Sequence, residues 1–382
     1  MSGRLLISGD SHVIEPPDLF TKTLSAKYGE AVPRRVSEFK GTKGQFYFTG
    51  YEYFRVEEIV EGEGETQKKI LAAMHDPEAR LRCLDEDGVW AEILNATSML
   101  YTMRARNDDL VRDCCKVFND WQADVCSVAP KRLFGTAMIH MQDVEWAVRE
   151  LERIKKKGLR SAIINCDARP EWEPYRSRKY DPFWSAAQSL NIPITLHIIT
   201  GNIRDPFTLH GEERTEAPRL GWGVLSEAAP VLSCEFLFGG IMDRFADLRI
   251  VLSEFEVSWL PYWIFRNEQR QTSLGPALGI PLPKRPIREY LTRIFHGVVD
   301  DPFLSRTVGI VDPTTIMWGS DFPHPRCTYP NSQKIVDDIL KDLALGIRDD
   351  IAFWNAARLY DIDPPAGGRE GAKHPRTQVG AA

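Results

Sequence analysis

The chain has 382 residues, 43% of them hydrophobic and 27% charged, with a formal net charge of −6 and an isoelectric point near 5.8. This balance suits a folded globular protein. It excludes the basic, aromatic-interleaved surface of a nucleic-acid binder, and no run approaches the roughly 18 apolar residues of a membrane span. Lys155-Lys156-Lys157 closes a Glu/Arg-rich helical segment and reads as a solvated helix end. No apolar signal segment is recognised ahead of the first strand-like run. The seven cysteines are odd in number, lack CxxC spacing and read as buried free thiols, so the expected location is cytoplasmic.

In chain order, short apolar runs alternate with longer helical patterns. Leu5 to Ser8 is the first run. A helix beginning near Asp76-Pro77-Glu78 precedes the second, Ala91 to Asn95, and a helix around Val111 to Val128 precedes the third, Leu133 to Ile139. The helix Val144 to Lys157 leads to Ser161–Asn165. Ile192 to His197, Arg249 to Leu252, Ile294 to Val298 and Thr315 to Trp318 complete the series. Apolar strands alternating with helices predict an α/β fold with a parallel sheet buried on both faces, and about eight units in this length favour closure into a (β/α)8 barrel. No GxGxxG follows the first run, which argues against a dinucleotide-binding sheet.

Two insertions interrupt the pattern. Residues 28–73 are expected to form an inserted lid with a hairpin, Gly44 to Arg55, whose aromatic and β-favouring residues flank a glycine turn, followed by a polar, flexible stretch, Glu61 to Glu65. A charged, irregular segment, Gly201 to Leu220, follows the fifth run. Both leave from expected C-terminal strand ends, where barrel enzymes build their sites. Residues 1–363 are expected to be one barrel domain and 364–382 an extended tail without apolar periodicity, in which His374 is inert.

Four islands of acid and histidine sit just past strand-like runs: Asp10-Ser11-His12, His197, Glu254 and Asp321-Phe322-Pro323-His324. Asp10 and His12 are two apart, a spacing that turns both side chains to one side of a strand. Taken alone, each island also reads blandly, as a capped loop start, a core histidine or a turn-forming carboxylate. Their recurrence at equivalent strand ends points instead to one convergent oxygen and nitrogen ligand set for Zn²⁺, Mn²⁺ or Fe²⁺, with Zn²⁺ the default. His296 and His140 follow other runs and are weaker candidates to line the pocket. Arg326 is a candidate to grip a substrate carboxylate through its planar guanidinium. Trp259, Trp318 and Tyr329 offer faces for a planar ring, or simply pack.

These residues resemble the amidohydrolase superfamily, in the amidohydrolase-related branch that includes aminocarboxymuconate-semialdehyde decarboxylase-like enzymes. The resemblance spans nearly the whole chain. It runs through Asp10-Ser11-His12 with Glu15-Pro16-Pro17, Leu84 to Val89, Asn119-Asp120-Trp121, Pro130 to Leu133, Leu196-His197, Glu254 to Pro261, Gly319 to Pro325 and Asn355 to Tyr360. It implies a distorted TIM barrel with one metal ion at the C-terminal mouth and a homodimer or homotetramer. By motif match, Asp10, His12, His197 and Asp321 take the ligand positions, Asp321 doubling as ligand or catalytic acid. The decarboxylases carry histidine where this chain has Glu254, which leaves Glu254 as a ligand, a proton shuttle or a supporting group.

The first expectation is a metal-dependent decarboxylase of a small aromatic or enolic carboxylate, with Asp321 or His324 protonating the carbon that loses CO2. The second is a metal-dependent hydrolase of an amide, ester, lactone or C–C bond, with Asp321 as general base to metal-activated water. A third is a non-catalytic barrel that binds a partner.

Overall fold

The computed structural model describes residues 4–56, 64–201, 208–209 and 227–365. Eight parallel strands lie side by side in chain order. They are β1 (Leu6–His12), β2 (Val89–Asn95), β3 (Leu133–Met138), β4 (Ser161–Ile164), β5 (Ile194–His197), β6 (Ile250–Ser253), β7 (Ile294–Val298) and β8 (Ile316–Trp318). Their residues are almost wholly buried, as the apolar runs demand of a sheet covered on both faces. The result is a nearly closed TIM barrel. Its seam between β8 and β1 is held past the end of β8, where Asp321 N donates to Asp10 O at 2.9 Å and His12 N to Phe322 O at 2.7 Å.

Local signals explain several helix starts. Asp76, Asn107 and Asp143 each accept a hydrogen bond from the first turn of the helices Pro77–Asp87, Asp108–Ser127 and Val144–Lys156. One apolar cluster gathers Ile7, Ala91, Ile93, Phe134, Val251 and Met317, with Phe353, Leu359 and Tyr360 of the C-terminal helical segment. This cluster fills the barrel interior. Trp90 Nε1 donates to Asp363 O at 3.1 Å and Arg160 lies 3.8 Å from Asp361, so the C-terminal segment crosses the end at which the strands begin. The opposite end is left for the site.

The inserted region is more ordered than its composition suggested. Thr42–Phe48 and Tyr53–Arg55 form the expected hairpin around Gly50 (φ 92°), and Arg34–Phe39 adds a third antiparallel strand. Thr208–Leu209, from the segment after β5, adds a fourth, pairing Tyr53 with Leu209. A helix, Glu65–His75, occupies the end of the stretch expected to be irregular, with Ile70 and Ala73 turned inward at helical spacing. Residues 57–63, which hold most of the stretch expected to be flexible, and the tail beyond 365 lie outside the described residues. Among the described residues, no helix is long and apolar enough to cross a membrane. All seven cysteines are free.

Candidate metal centre

Asp10, His12, His197 and Glu254 each bring one ligand atom to a common point at the C-terminal mouth, all within 4.8 Å of one another. His12, Glu254, Asp321 and His324 form a second, overlapping group under the same limit. Asp10, His12 and His197 are almost fully buried, at 1%, 0% and 0% exposure.

Each donor is aimed by a specific contact. His12 Nδ1 lies 2.8 Å from the carbonyl of Ala96; a carbonyl only accepts, so Nδ1 carries the proton and Nε2 presents a lone pair. His197 is set the same way, with Nδ1 3.0 Å from Ile198 O. Asn95 Nδ2 donates to Asp10 Oδ1 at 2.6 Å and is itself held by Thr136, whose hydroxyl donates to Asn95 Oδ1 at 2.9 Å. Gly297 and Gly319 make room for Asp10: a Cβ at 297 would lie 3.6 Å from Asp10 Oδ2, and one at 319 would lie 2.6 Å from Asp10 Cβ. Glu254 (φ 65°) and Asp321 (φ 56°) both adopt left-handed backbone, a strained choice that recurs where a side chain must point into a site.

The electrostatics demand a cation. His12 Nε2, a lone-pair atom, lies 2.9 Å from Glu254 Oε1 and 3.6 Å from both Asp10 Oδ1 and Asp321 Oδ1. His197 Nε2 lies 3.6 Å from Glu254 Oε1. Burial, and then the neighbouring His324 and His197, hold the His12 imidazole well below its usual range, so it is neutral. Burial and then the Glu254 and Asp321 carboxylates push Asp10 well above the usual carboxylate range. Asp10 Oδ2, His197 Nε2 and Asp321 Oδ1 are buried without a hydrogen-bond partner of good geometry. Buried acceptors facing one another are costly unless a positive charge lies between them. Imidazole nitrogens plus carboxylates fit a divalent ion, whose charge reverses the penalty on every donor.

Beside this cluster, His324 Nδ1 lies 2.8 Å from Asp321 Oδ1, and its Nε2 lies 3.2 Å from Thr97 Oγ1. Burial alone would lower His324, but the Asp321 carboxylate outweighs it and raises the imidazole above its usual value. Thr97 is fixed in turn by Glu15, whose carboxylate accepts from the backbone N–H groups of Thr97, Ser98 and Met99 at 2.9–3.0 Å.

Three expected pocket residues are not brought to the cluster. Phe295 packs on the interior cluster and Gly297 faces Asp10, so His296 between them points outward into the helical layer. There burial alone pushes its pKa down to about 3. Trp259 donates its indole N–H to Phe255 O at 2.9 Å and packs edge-on against Trp263. Arg326 is 84% exposed, with Asp300 at 3.7 Å. His140, the other weak candidate, is tied to Asp108 at 2.8 Å.

Two acids at the mouth escaped the sequence reading. Burial and then Asp301 push Glu256 up to about 8, and burial and then Asp167 push Glu227 up to about 7. Glu256 sits two residues past the Glu254 island, a visible signal. Glu227 had none.

A sequence model of the family described as Amidohydrolase matches residues 72–362. A 2-amino-3-carboxymuconate-6-semialdehyde decarboxylase of Dictyostelium discoideum is 24% identical over 79% of this chain and 81% of its own length. A gamma-resorcylate decarboxylase of a Polaromonas species is 26% identical over 64% of this chain and 76% of its own. Among solved structures, a dihydroxybenzoic acid decarboxylase of Polaromonas, with bound manganese and the inhibitor 2-nitroresorcinol, superposes with a TM-score of 0.66 at 20% identity, covering 95% of this chain and 98% of that one. The family match spans most of the barrel and includes two of the four donors, His197 and Glu254, with Asp10 and His12 on the strand that precedes it: the chain belongs to the amidohydrolase family.

Proposed function

We propose that this protein is a metal-dependent decarboxylase, a carboxy-lyase acting on a small aromatic or enolic carboxylate. The observation that carries the reading is the buried donor cluster with a proton-carrying couple, Asp321 and His324, set directly against it. Asp10, His12, His197 and Glu254 would hold the ion, Glu254 filling a ligand role that the motif match gave to Asp321. A divalent metal held there would polarise substrate oxygens and stabilise developing negative charge. Asp321, free of that duty, serves proton transfer: the proton held by the His324 imidazolium passes through the Asp321 carboxylate to the carbon as its bond to the departing CO2 breaks, leaving His324 neutral. Thr97 and Glu15 keep His324 turned toward Asp321. The activities of the relatives support this reading, and the manganese in the Polaromonas structure supports Mn²⁺ beside the Zn²⁺ default.

Arg326 is exposed at the rim and faces Asp300, so the ion, rather than Arg326, is the natural anchor for a substrate carboxylate. Exposed Tyr262, Phe265 and Leu278 support a homo-oligomer, dimer or tetramer, and the buried free thiols Cys114, Cys115 and Cys166 support a cytoplasmic setting. The test is a panel of hydroxybenzoates and enolic carboxylates, with lactones and amides alongside, given to metal-loaded protein. CO2 release from a carboxylate is expected. Acid release from a lactone or amide, with no CO2 from any carboxylate, would assign hydrolysis instead.

A further inference from the structure

Arg80 projects from the helix Pro77–Asp87 and is 3% exposed. Its Nε and Nη2 donate to the carboxylate of Glu92 on β2, which is fully buried. Two further donors go to backbone carbonyls: Nη1 to His12 O at 2.8 Å and Nη2 to Phe322 O at 3.1 Å. The guanidinium also lies over the Phe322 ring, 5.0 Å from its centre. One planar fork thus grips the residue that carries a metal donor and the residue next to Asp321.

The location gives this grip its consequence. β8 and β1 close the barrel through the strand ends themselves, by Asp321 N to Asp10 O and His12 N to Phe322 O. Phe322 O therefore accepts from both His12 N and Arg80, and His12 is held at its N–H and its carbonyl. A rigid five-donor fork fixes such an arrangement; a point charge on a flexible stem does not. The helix places Arg80 on its buried face with Cys83, Leu84 and Asp87, so the guanidinium is turned in toward the barrel.

We propose that Arg80 is a positioning residue: by clamping the carbonyls of His12 and Phe322 it fixes the place of the donor His12 at the barrel seam and so the affinity of the donor cluster for a divalent ion. The inference rests on the metal-site reading above. A purely structural ion pair would change stability and leave affinity untouched, which separates the two roles.

The experiment is Mn²⁺ titration of the chelator-stripped full chain, with free Mn²⁺ followed by its solution paramagnetic resonance signal and folding followed by circular dichroism. Two variants are compared with wild type. Arg80→Met with Glu92→Met removes the charge pair without stranding either charge, and Arg80→Lys keeps the charge but loses the fork. The double variant is expected to bind Mn²⁺ about 10–100-fold more weakly, the usual range for residues that orient ligands, and Arg80→Lys to lose affinity in the same direction while remaining folded. If the double variant does not fold, Arg80→Lys alone decides. Wild-type affinity in the folded variants overturns the inference whatever their melting temperatures. A wild-type chain with no Mn²⁺ or Zn²⁺ affinity overturns the site reading and this inference with it.

Discussion

Gly319→Ala probes the barrel seam at its tightest point. A Cβ at 319 would meet Asp10 Cβ at 2.6 Å, Asp10 N at 3.0 Å and Asp10 Cα at 3.1 Å. Carbon atoms rest at about 3.5–4.0 Å, so the closest of these contacts must open by roughly 1 Å. None of the three atoms belongs to a flexible side-chain end that can rotate away. Asp10 is itself bound to Asn95 and, through its carbonyl, to Asp321 N, so the displacement passes into the donor cluster. Overpacking of this kind costs about 1–3 kcal/mol of stability, and moving a donor from its place is expected to cost about 10–100-fold in metal affinity. Gly346→Ala, where a new Cβ has nothing within 4 Å, is the control. Urea unfolding and Mn²⁺ titration of both variants read the two effects separately. Wild-type stability and wild-type affinity in Gly319→Ala would refute the claim that the close approach at 319 places Asp10.

Two further outcomes follow from individual groups. Asp321→Asn should retain metal, because Asp10, His12, His197 and Glu254 remain, while turnover falls about 10²–10⁴-fold; loss of bound metal, measured by elemental analysis, would return Asp321 to the ligand set. His296 has its pKa depressed from 6.5 to about 3 by burial, so the unfolded chain takes up a proton that the folded chain refuses. Its contribution to stability is full above pH 6.5 and is lost as the pH falls toward 3. Between pH 6.5 and 4.5 this amounts to about 2–3 kcal/mol. His296→Phe should therefore flatten the acid limb of the unfolding free energy by that amount, and an unchanged slope would place His296 in contact with solvent or charge.

Much of the barrel was legible because parallel strands buried on both faces leave short, continuous apolar runs, and because Asp76 and Asp143 mark helix starts in the sequence itself. The pairing of Tyr53 with Leu209 was not legible: it joins two insertions far apart in the chain, and two paired residues leave no periodic trace. Within the site, Asp10, His12 and His197 could be found because each polar group ends an apolar run. His296 satisfied the same rule and was misplaced, since position along a strand does not give its face. Deciding the face required knowing that Phe295 and Gly297 look inward. Arg326 and Trp259 were judged by chemical type alone; exposure in one case and a local indole hydrogen bond in the other direct them elsewhere. Arg80 and Glu92 carried a readable signal, one charge on the buried face of a helix and one inside a buried strand, but their partnership is a matter of tertiary contact.

The most direct test of the central claim is decarboxylation of the active carboxylate in deuterated water, with chelator-stripped and Mn²⁺-loaded protein compared. The account predicts CO2 release only from the loaded protein, with deuterium on the carbon that lost the carboxylate. Metal-independent CO2 release, or hydrolysis of a lactone or amide with no CO2 from any carboxylate, would contradict it.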